Sequence, residues 1–407
     1  MKASSASAPP DPPHIHVTQA ATLLSHANPL PNPQVKPGDI PTLTGVRAFA
    51  SWWVVFFHSA FLLPVSLPAL YWFVRLGYLG VDLFFVLSGF IISYNYWNRL
   101  APFSAGAYRG FLWLRLARLY PVHLFTLLLS ALLLLGVRVS GAAYTKDFST
   151  WTLPNFLANA AMVHAWRLHY VESWNNASWS ISCEWFAYLL FPLLVISQLN
   201  KLPARLALTA AVLLPAIYAS CAQAGFPLPF ALLIKVITEF AAGSLVYHVY
   251  ARSQTAPRST WLFTSSVALA SVLAIAALAI FHTLSPDWLA LLFPLLILAV
   301  ARSSGPLRAF LGSRPLVYWG KVSYSLYMTH NVTLWLLKAL LPIRRPGPPL
   351  LVSVTYIVCI ALAAVLTYHV VEEPARKWMR SLRAGRRSQP RGLPSNQDTA
   401  TAAITSD

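Results

Sequence analysis

In the stretch "VRAFASWWVVFFH", residues 46–58, a cationic Arg47 and an ionisable His58 stand in otherwise apolar company. At about 100° and 1.5 Å per helical residue, their separation puts them on one helix face with a rise of about 16 Å. A cation at one end can hold an anionic group, and an imidazole three turns further on can accept and return a proton. The spacing predicts that both face one cavity. Taken singly, each also fits a plainer role, as a snorkelling arginine or a histidine bonded to a nearby carbonyl.

Further groups of this kind recur in apolar segments. Asp82 lies in "GYLGVDLFFVLSGF" and needs a partner, either His58 or a group on a helix that it fastens. Glu184 follows Ser180 by one turn in "SWSISCEWFAYLLFPLL", and a lone carboxylate there must be paired or protonated. His330 lies in "SYSLYMTH". Arg115 and Arg118 in "RLARLYP" are neighbours on one helix face, either a two-guanidinium clamp for phosphates or basic anchors. Lys235 and Glu239, one turn apart, are expected to neutralise each other, and Glu372-Glu373-Pro374 reads as a stop for the last helix. No metal site is expected. Cys183, Cys221 and Cys359 form no CxxC pair and no disulfide framework, and the histidines of the apolar segments have no ligating neighbour in sequence.

The elements that must position these residues follow from composition. Hydrophobic residues make up 57% of the 407 and charged residues 10%, whereas a soluble domain carries about a quarter charged. The apolar residues fall in blocks of about 20, the helical length that crosses a hydrocarbon layer of about 30 Å. The fold class is therefore all-α, a polytopic membrane protein of about ten transmembrane helices. These are placed at 46–67, 77–97, 119–137, 179–199, 206–223, 231–250, 260–281, 287–301, 317–341 and 350–371. Within a bilayer each ionisable residue above becomes a functional candidate, because hydrocarbon disfavours it. Gly77, Gly80 and Gly89 permit close backbone approach between helices.

Residues 1–41 are rich in Pro, Ser and Ala and predict a disordered tail; 42–374 form the membrane domain, and 375–407 a basic, polar cytoplasmic tail. The net charge of +18 does not point to nucleic acid. Lys and Arg concentrate in alternate joints, as the positive-inside rule requires, with both termini cytoplasmic. In the outer loop 138–178, Trp151, Trp166, Trp174, Asn155 and Asn175 suit either a sugar-binding surface or an aromatic belt at the membrane interface.

Taken in order, "LTGVRAFASWWVVFFH", "GYLGVDLFFVLSGF", "RLARLYP", "SWSISCEWFAYLLFPL", "SYSLYMTH" and "VEEPARKW" resemble the acyltransferase-3 family of integral membrane acyltransferases, over about residues 40–378. The resemblance implies transfer of an acyl group, often acetyl from acetyl-CoA, to a hydroxyl or amine. Acceptors of the family include carbohydrates, lipid-linked glycans among them, in a bacterial inner or plasma membrane. No cofactor would be bound permanently; acyl-CoA would be a co-substrate. The family's Arg–ten residues–His motif falls on Arg47 and His58, and its Arg-x-x-Arg motif on Arg115 and Arg118. The resemblance assigns His58 the catalytic role and the three arginines roles near the donor; a hypothesis beside it makes His58 the general base, oriented by Asp82 or Glu184, with His330 a further catalytic candidate. Thr44-Gly45 stands where the family often has Asp-Gly, and Thr329-His330-Asn331 where it has Trp-His-Pro. The competing class is a proton-coupled transporter or flippase, in which His58, Asp82, Glu184 and His330 form a relay.

Overall fold

The computed structural model describes residues 39–62, 68–140, 148–166, 171–226, 228–253, parts of 267–277, 285–341 and 348–388. The expected tail 1–41, but for its last residues, and most of the expected span 260–281 lie outside the described residues. Among the described residues the architecture is helical, with no strand.

Among the described residues the α-helices run in this order: α1 (Pro41–His58), α2 (Pro68–Arg75), α3 (Gly80–Leu100), α4 (Ala105–Ser140), α5 (Leu153–Ala160), α6 (Trp179–Ile196), α7 (Ala204–Gln223), α8 (Leu228–Ser253), α9 (Phe293–Ala301), α10 (Gly305–Leu311), α11 (Arg314–Leu340), α12 (Leu350–Thr367) and α13 (Glu373–Ser388). Pro41 opens α1 where a missing N–H costs nothing, and the helix ends at His58 before a 3-10 turn, Ala60–Leu62. α12 and α13 are joined by a five-residue π-helical segment, Tyr368–Glu372.

Among the described residues, six helices are long and apolar enough to cross a membrane: Leu70–Leu100, Ala105–Ser140, Asn176–Ile196, Ala204–Gln223, Ala231–Ser253 and Leu350–Arg383, fewer than the ten spans expected, one of which lies mostly outside those residues. The expected span 287–301 is half of a pair, Pro286–Ala301 and Gly305–Leu311, bent by 101° at a short break, which makes a seventh if taken as one. The expected spans 46–67 and 317–341 exist as α1 and α11, but neither is apolar enough to be counted with the six. The physical reason is burial. Every residue of α11 from Val322 to Val332 is buried, so its polar groups are satisfied by neighbouring helices instead of facing lipid. The apolar α12 segment is the reverse: 22% of its most apolar window is buried, against 78% for the α3 and α8 segments. Polar helices therefore occupy the centre and the most uniformly apolar helix lies at the periphery. A protein with this many apolar crossing helices is an integral, multi-pass membrane protein.

α1 packs most extensively on α11, α3 on α8, α7 on α8, and α11 on α12. The α3–α8 contact is reciprocal: Gly89 lies against the Phe240 carbonyl and Gly243 against that of Val86, so a Cβ at either position would meet backbone. Ser93 donates to Ser244 across the same seam at 2.7 Å. Gly77 and Gly80 likewise admit the carbonyls of Trp53 and Ala50, bringing α3 and the turn before it against α1.

Two of the loop tryptophans are core residues and not a sugar-binding or interfacial surface. Trp151 and Trp174 are buried with Phe148, Phe156 and Trp335 in a small separate core. Trp166 donates to the Ser182 carbonyl at 2.9 Å, Asn155 to that of Thr150, and Asn175 to Met328 of α11. Trp166 and Asn175 thus tie the loop to the bundle, while Asn155 bonds within the loop.

Candidate functional site

α1 carries Arg47 and His58 as its periodicity requires, but they do not share a cavity. Arg47 lines a cavity of about 130 Å³ together with Arg115 and Arg118 of α4, Ser88 of α3, Ser180, Glu184 and Tyr188 of α6, and Tyr324 and Tyr327 of α11. His58 is not among the lining residues. It lies beyond Tyr327, against His330, with ring centroids 4.9 Å apart.

Asp82 and Glu184 do not orient His58; this expectation is corrected. Asp82 is fully buried and paired at 2.7 Å with Lys235, which is itself buried under the face of Tyr218. Lys235 of α8 therefore pairs with a residue of α3, five helices earlier in the chain. Glu184 Oε1 accepts from Ser88 Oγ at 2.6 Å and from Tyr188 Oη at 2.5 Å, inside the arginine cavity. The four residues expected to form one relay thus fall into three separate groups.

The histidine pair has a determinate protonation pattern. His330 Nδ1 lies 2.5 Å from the Tyr327 carbonyl, an acceptor only, so Nδ1 must carry the proton. In the neutral ring Nε2 then holds a lone pair, and it lies 3.2 Å from His58 Nδ1. His58 Nδ1 must therefore be the donor there, consistent with its second contact, 3.0 Å to the Val54 carbonyl. The network assigns the remaining lone pair of His58 to Nε2, which makes no hydrogen bond to a described residue. Tyr327 joins this pair to the cavity: its carbonyl holds His330, while its hydroxyl meets Ser180 Oγ at 2.6 Å in the cavity wall.

The arginines converge as their spacing indicates, though not as three equal cations. Arg118 forms an ion pair with Glu372 of the π segment and stacks over Tyr324, 5.2 Å from its centroid. Glu372 is 1% exposed, also accepts from Ser325 at 2.6 Å, and lies 3.7 Å from Arg376. The sequence reading took Glu372 as part of a helix stop and missed this role. The available signal was Arg376, one turn later in "VEEPARKW". Arg115 donates to the Tyr96 hydroxyl at 2.9 Å, and its buried Nε has no hydrogen-bond partner among the described residues. Among those residues no cluster of His, Cys, Asp and Glu could hold a metal ion.

An anion-attracting cavity beside a bare imidazole nitrogen can hold an acidic molecule and remove a proton from a second one. Known proteins bear on the class. The chain is 28% identical over 181 residues to "Acyltransferase MdmB" of Streptomyces mycarofaciens, covering 41% of each chain. It is 24% identical over 376 residues to "Putative peptidoglycan O-acetyltransferase YrhL" of Bacillus subtilis (strain 168), covering 83% of this chain and 55% of that one. The chain thus spans about half the length of these relatives. No solved structure matches. The family model Acyl_transf_3, described as an acyltransferase domain, matches residues 40–368, which hold the arginine cavity and both histidines. The chain belongs to the acyltransferase-3 family of enzymes.

Proposed function

We propose that this protein transfers an acyl group, acetyl being the simplest, from acyl-CoA on the cytoplasmic side of the membrane to a hydroxyl of a carbohydrate acceptor, free or lipid-linked. Family membership supports acyl transfer, and the Bacillus subtilis relative, named a "putative peptidoglycan O-acetyltransferase", supports a carbohydrate acceptor. Three arginines around one cavity support an anionic donor. Arg47 and Arg115 take the phosphates, with Arg118 held in place by Glu372. The thioester passes Tyr327 to reach His58.

His58 Nε2 takes the proton of the acceptor hydroxyl as the oxygen attacks the thioester carbonyl. The new C–O ester bond forms, the C–S bond breaks, and the proton passes from Nε2 to the departing thiolate, giving ester and free thiol. His330 holds the tautomer that makes Nε2 the base. The single observation that carries this reading is the Tyr327 carbonyl–His330–His58 chain, which leaves one imidazole nitrogen bare and unprotonated. The expected result for His58→Ala is loss of transfer by about 10²–10⁴-fold, the range of a removed general base, in protein that inserts and purifies normally. Transfer of labelled acetyl from acetyl-CoA to a glycan extract, in nanodiscs, reads it; wild-type rates in the variant would overturn the assignment.

A further inference from the structure

The family match ends at residue 368, and charge alone placed residues from 375 onward in a tail outside the catalytic domain. The structure instead docks α13 along α4, the helix that carries Arg115 and Arg118. Trp113 Nε1 donates to the Met379 carbonyl at 2.8 Å, and Arg383 donates to the Gly110 carbonyl. On the other side Glu372, next to the first residue of α13, pairs with Arg118 and lies near Arg376. The docking is specific along three turns.

It also gathers charge. Arg376 and Arg380 are one turn apart and lie on one face of α13. The Arg380 guanidinium is within electrostatic reach of Arg376, Arg115 and the Tyr96 phenol. Arg118 feels Arg47, Arg376 and Arg115 in the same way. Two guanidiniums, those of Arg118 and Arg376, thus lie on one buried carboxylate, Glu372, with Arg380 one turn further along α13. Gathering like charges is unfavourable unless an anion joins them, and a guanidinium fork matches phosphate oxygens. With Arg118 and Arg376 both on Glu372, Arg380 makes no hydrogen bond or ion pair to a described residue. Arg380 is exposed, outside the cavity, where the bulky nucleotide end of a donor would stay.

We propose that Arg380, supported by Arg376, binds a phosphate monoester of the donor's nucleotide end, separate from the phosphates held in the cavity by Arg47 and Arg115. α13 is then part of the donor site. This rests on the acyl-CoA reading, because CoA carries such a monoester at its ribose and dephospho-CoA lacks it.

The test is equilibrium binding of CoA and of dephospho-CoA to the full chain in zwitterionic nanodiscs, for wild type, Arg380→Gln and Arg380→Lys. Wild type is expected to prefer CoA, and Arg380→Gln to reduce that preference about tenfold, as loss of a charge-assisted contact would. Arg380→Lys is expected to retain part of it. Dephospho-CoA binding serves in each variant as the check on folding. An equal preference in wild type and Arg380→Gln overturns the assignment, while failure of wild type to bind either ligand overturns the acyl-CoA reading beneath it. A parallel series in nanodiscs containing phosphatidylglycerol separates the two sources of phosphate. Preference for CoA that persists there supports the donor site, and preference abolished by the anionic lipid assigns the arginines to headgroups and overturns it.

Discussion

An imidazole that leans on a second imidazole differs from one that leans on a carboxylate. A carboxylate both orients the ring and offsets the charge that appears when it takes a proton. In its neutral form His330 gives its Nδ1–H to the Tyr327 carbonyl and offers Nε2 to His58, so it orients His58 without adding charge to the interior of a membrane. A glutamine at 330 can imitate this, donating its amide N–H to Tyr327 and accepting from His58 through its oxygen; an alanine cannot. In the donor-saturated rate, His330→Ala is expected to fall about 100-fold, the order seen when a supporting partner is lost, with donor KM unchanged. His330→Gln should retain most of the rate. Equal losses in both variants would remove the tautomer argument.

The element that changes most in meaning is the end of α12. Its π segment turns Glu372 inward, toward Arg118 and Ser325, at the point where an uninterrupted α-helix would present a different face. π segments of this kind are frequent at functional sites. Glu372→Gln leaves Arg118 and Arg376 without their carboxylate, and removing one partner of a buried pair costs about 3–5 kcal/mol. The variant is expected to unfold at lower temperature in detergent and to weaken CoA binding as α13 loosens. A thermal-shift assay with and without CoA measures both, and an unchanged midpoint would show that the pair does not hold α13.

Among the buried polar groups of the described residues, the arginine cavity between α1, α3, α4, α6 and α11 and the Asp82–Lys235–Glu239 group between α3 and α8 lie on different seams. The second lines no part of the cavity. Its physical role is to fix how α3 sits on α8, across the seam where Gly89 and Gly243 bring the backbones together. Asp82→Asn leaves Lys235 with a buried charge and is expected to destabilise the protein by about 3–5 kcal/mol, whereas Asp82→Asn with Lys235→Met should recover most of the loss. Thermal midpoints of the two variants decide this. A double variant no better than the single one would point to a chemical role for the pair.

Much was legible in the chain itself. Helical periodicity places Arg47 and His58 on one side of α1, Arg115 beside Arg118, and Glu184 one turn from Ser180, because spacing along a helix is a local property. Apolar block length shows a membrane protein, and motif order shows its family. Three things required the assembled bundle. Which carboxylate met which cation was decided by helix neighbours far apart in sequence: Lys235 for Asp82, Arg118 for Glu372. Which helices face lipid was decided by burial: α11, expected as a span, is polar and buried among its neighbours, while the apolar α12 is the one at the periphery. That the basic segment after residue 372 docks as α13 was hidden because its charges read locally as solvated, and only the carbonyl of Gly110 and the indole of Trp113, more than 260 residues earlier in the chain, give it a place. Local spacing is written in the sequence; the partner across a helix seam depends on packing between segments, which no local pattern specifies.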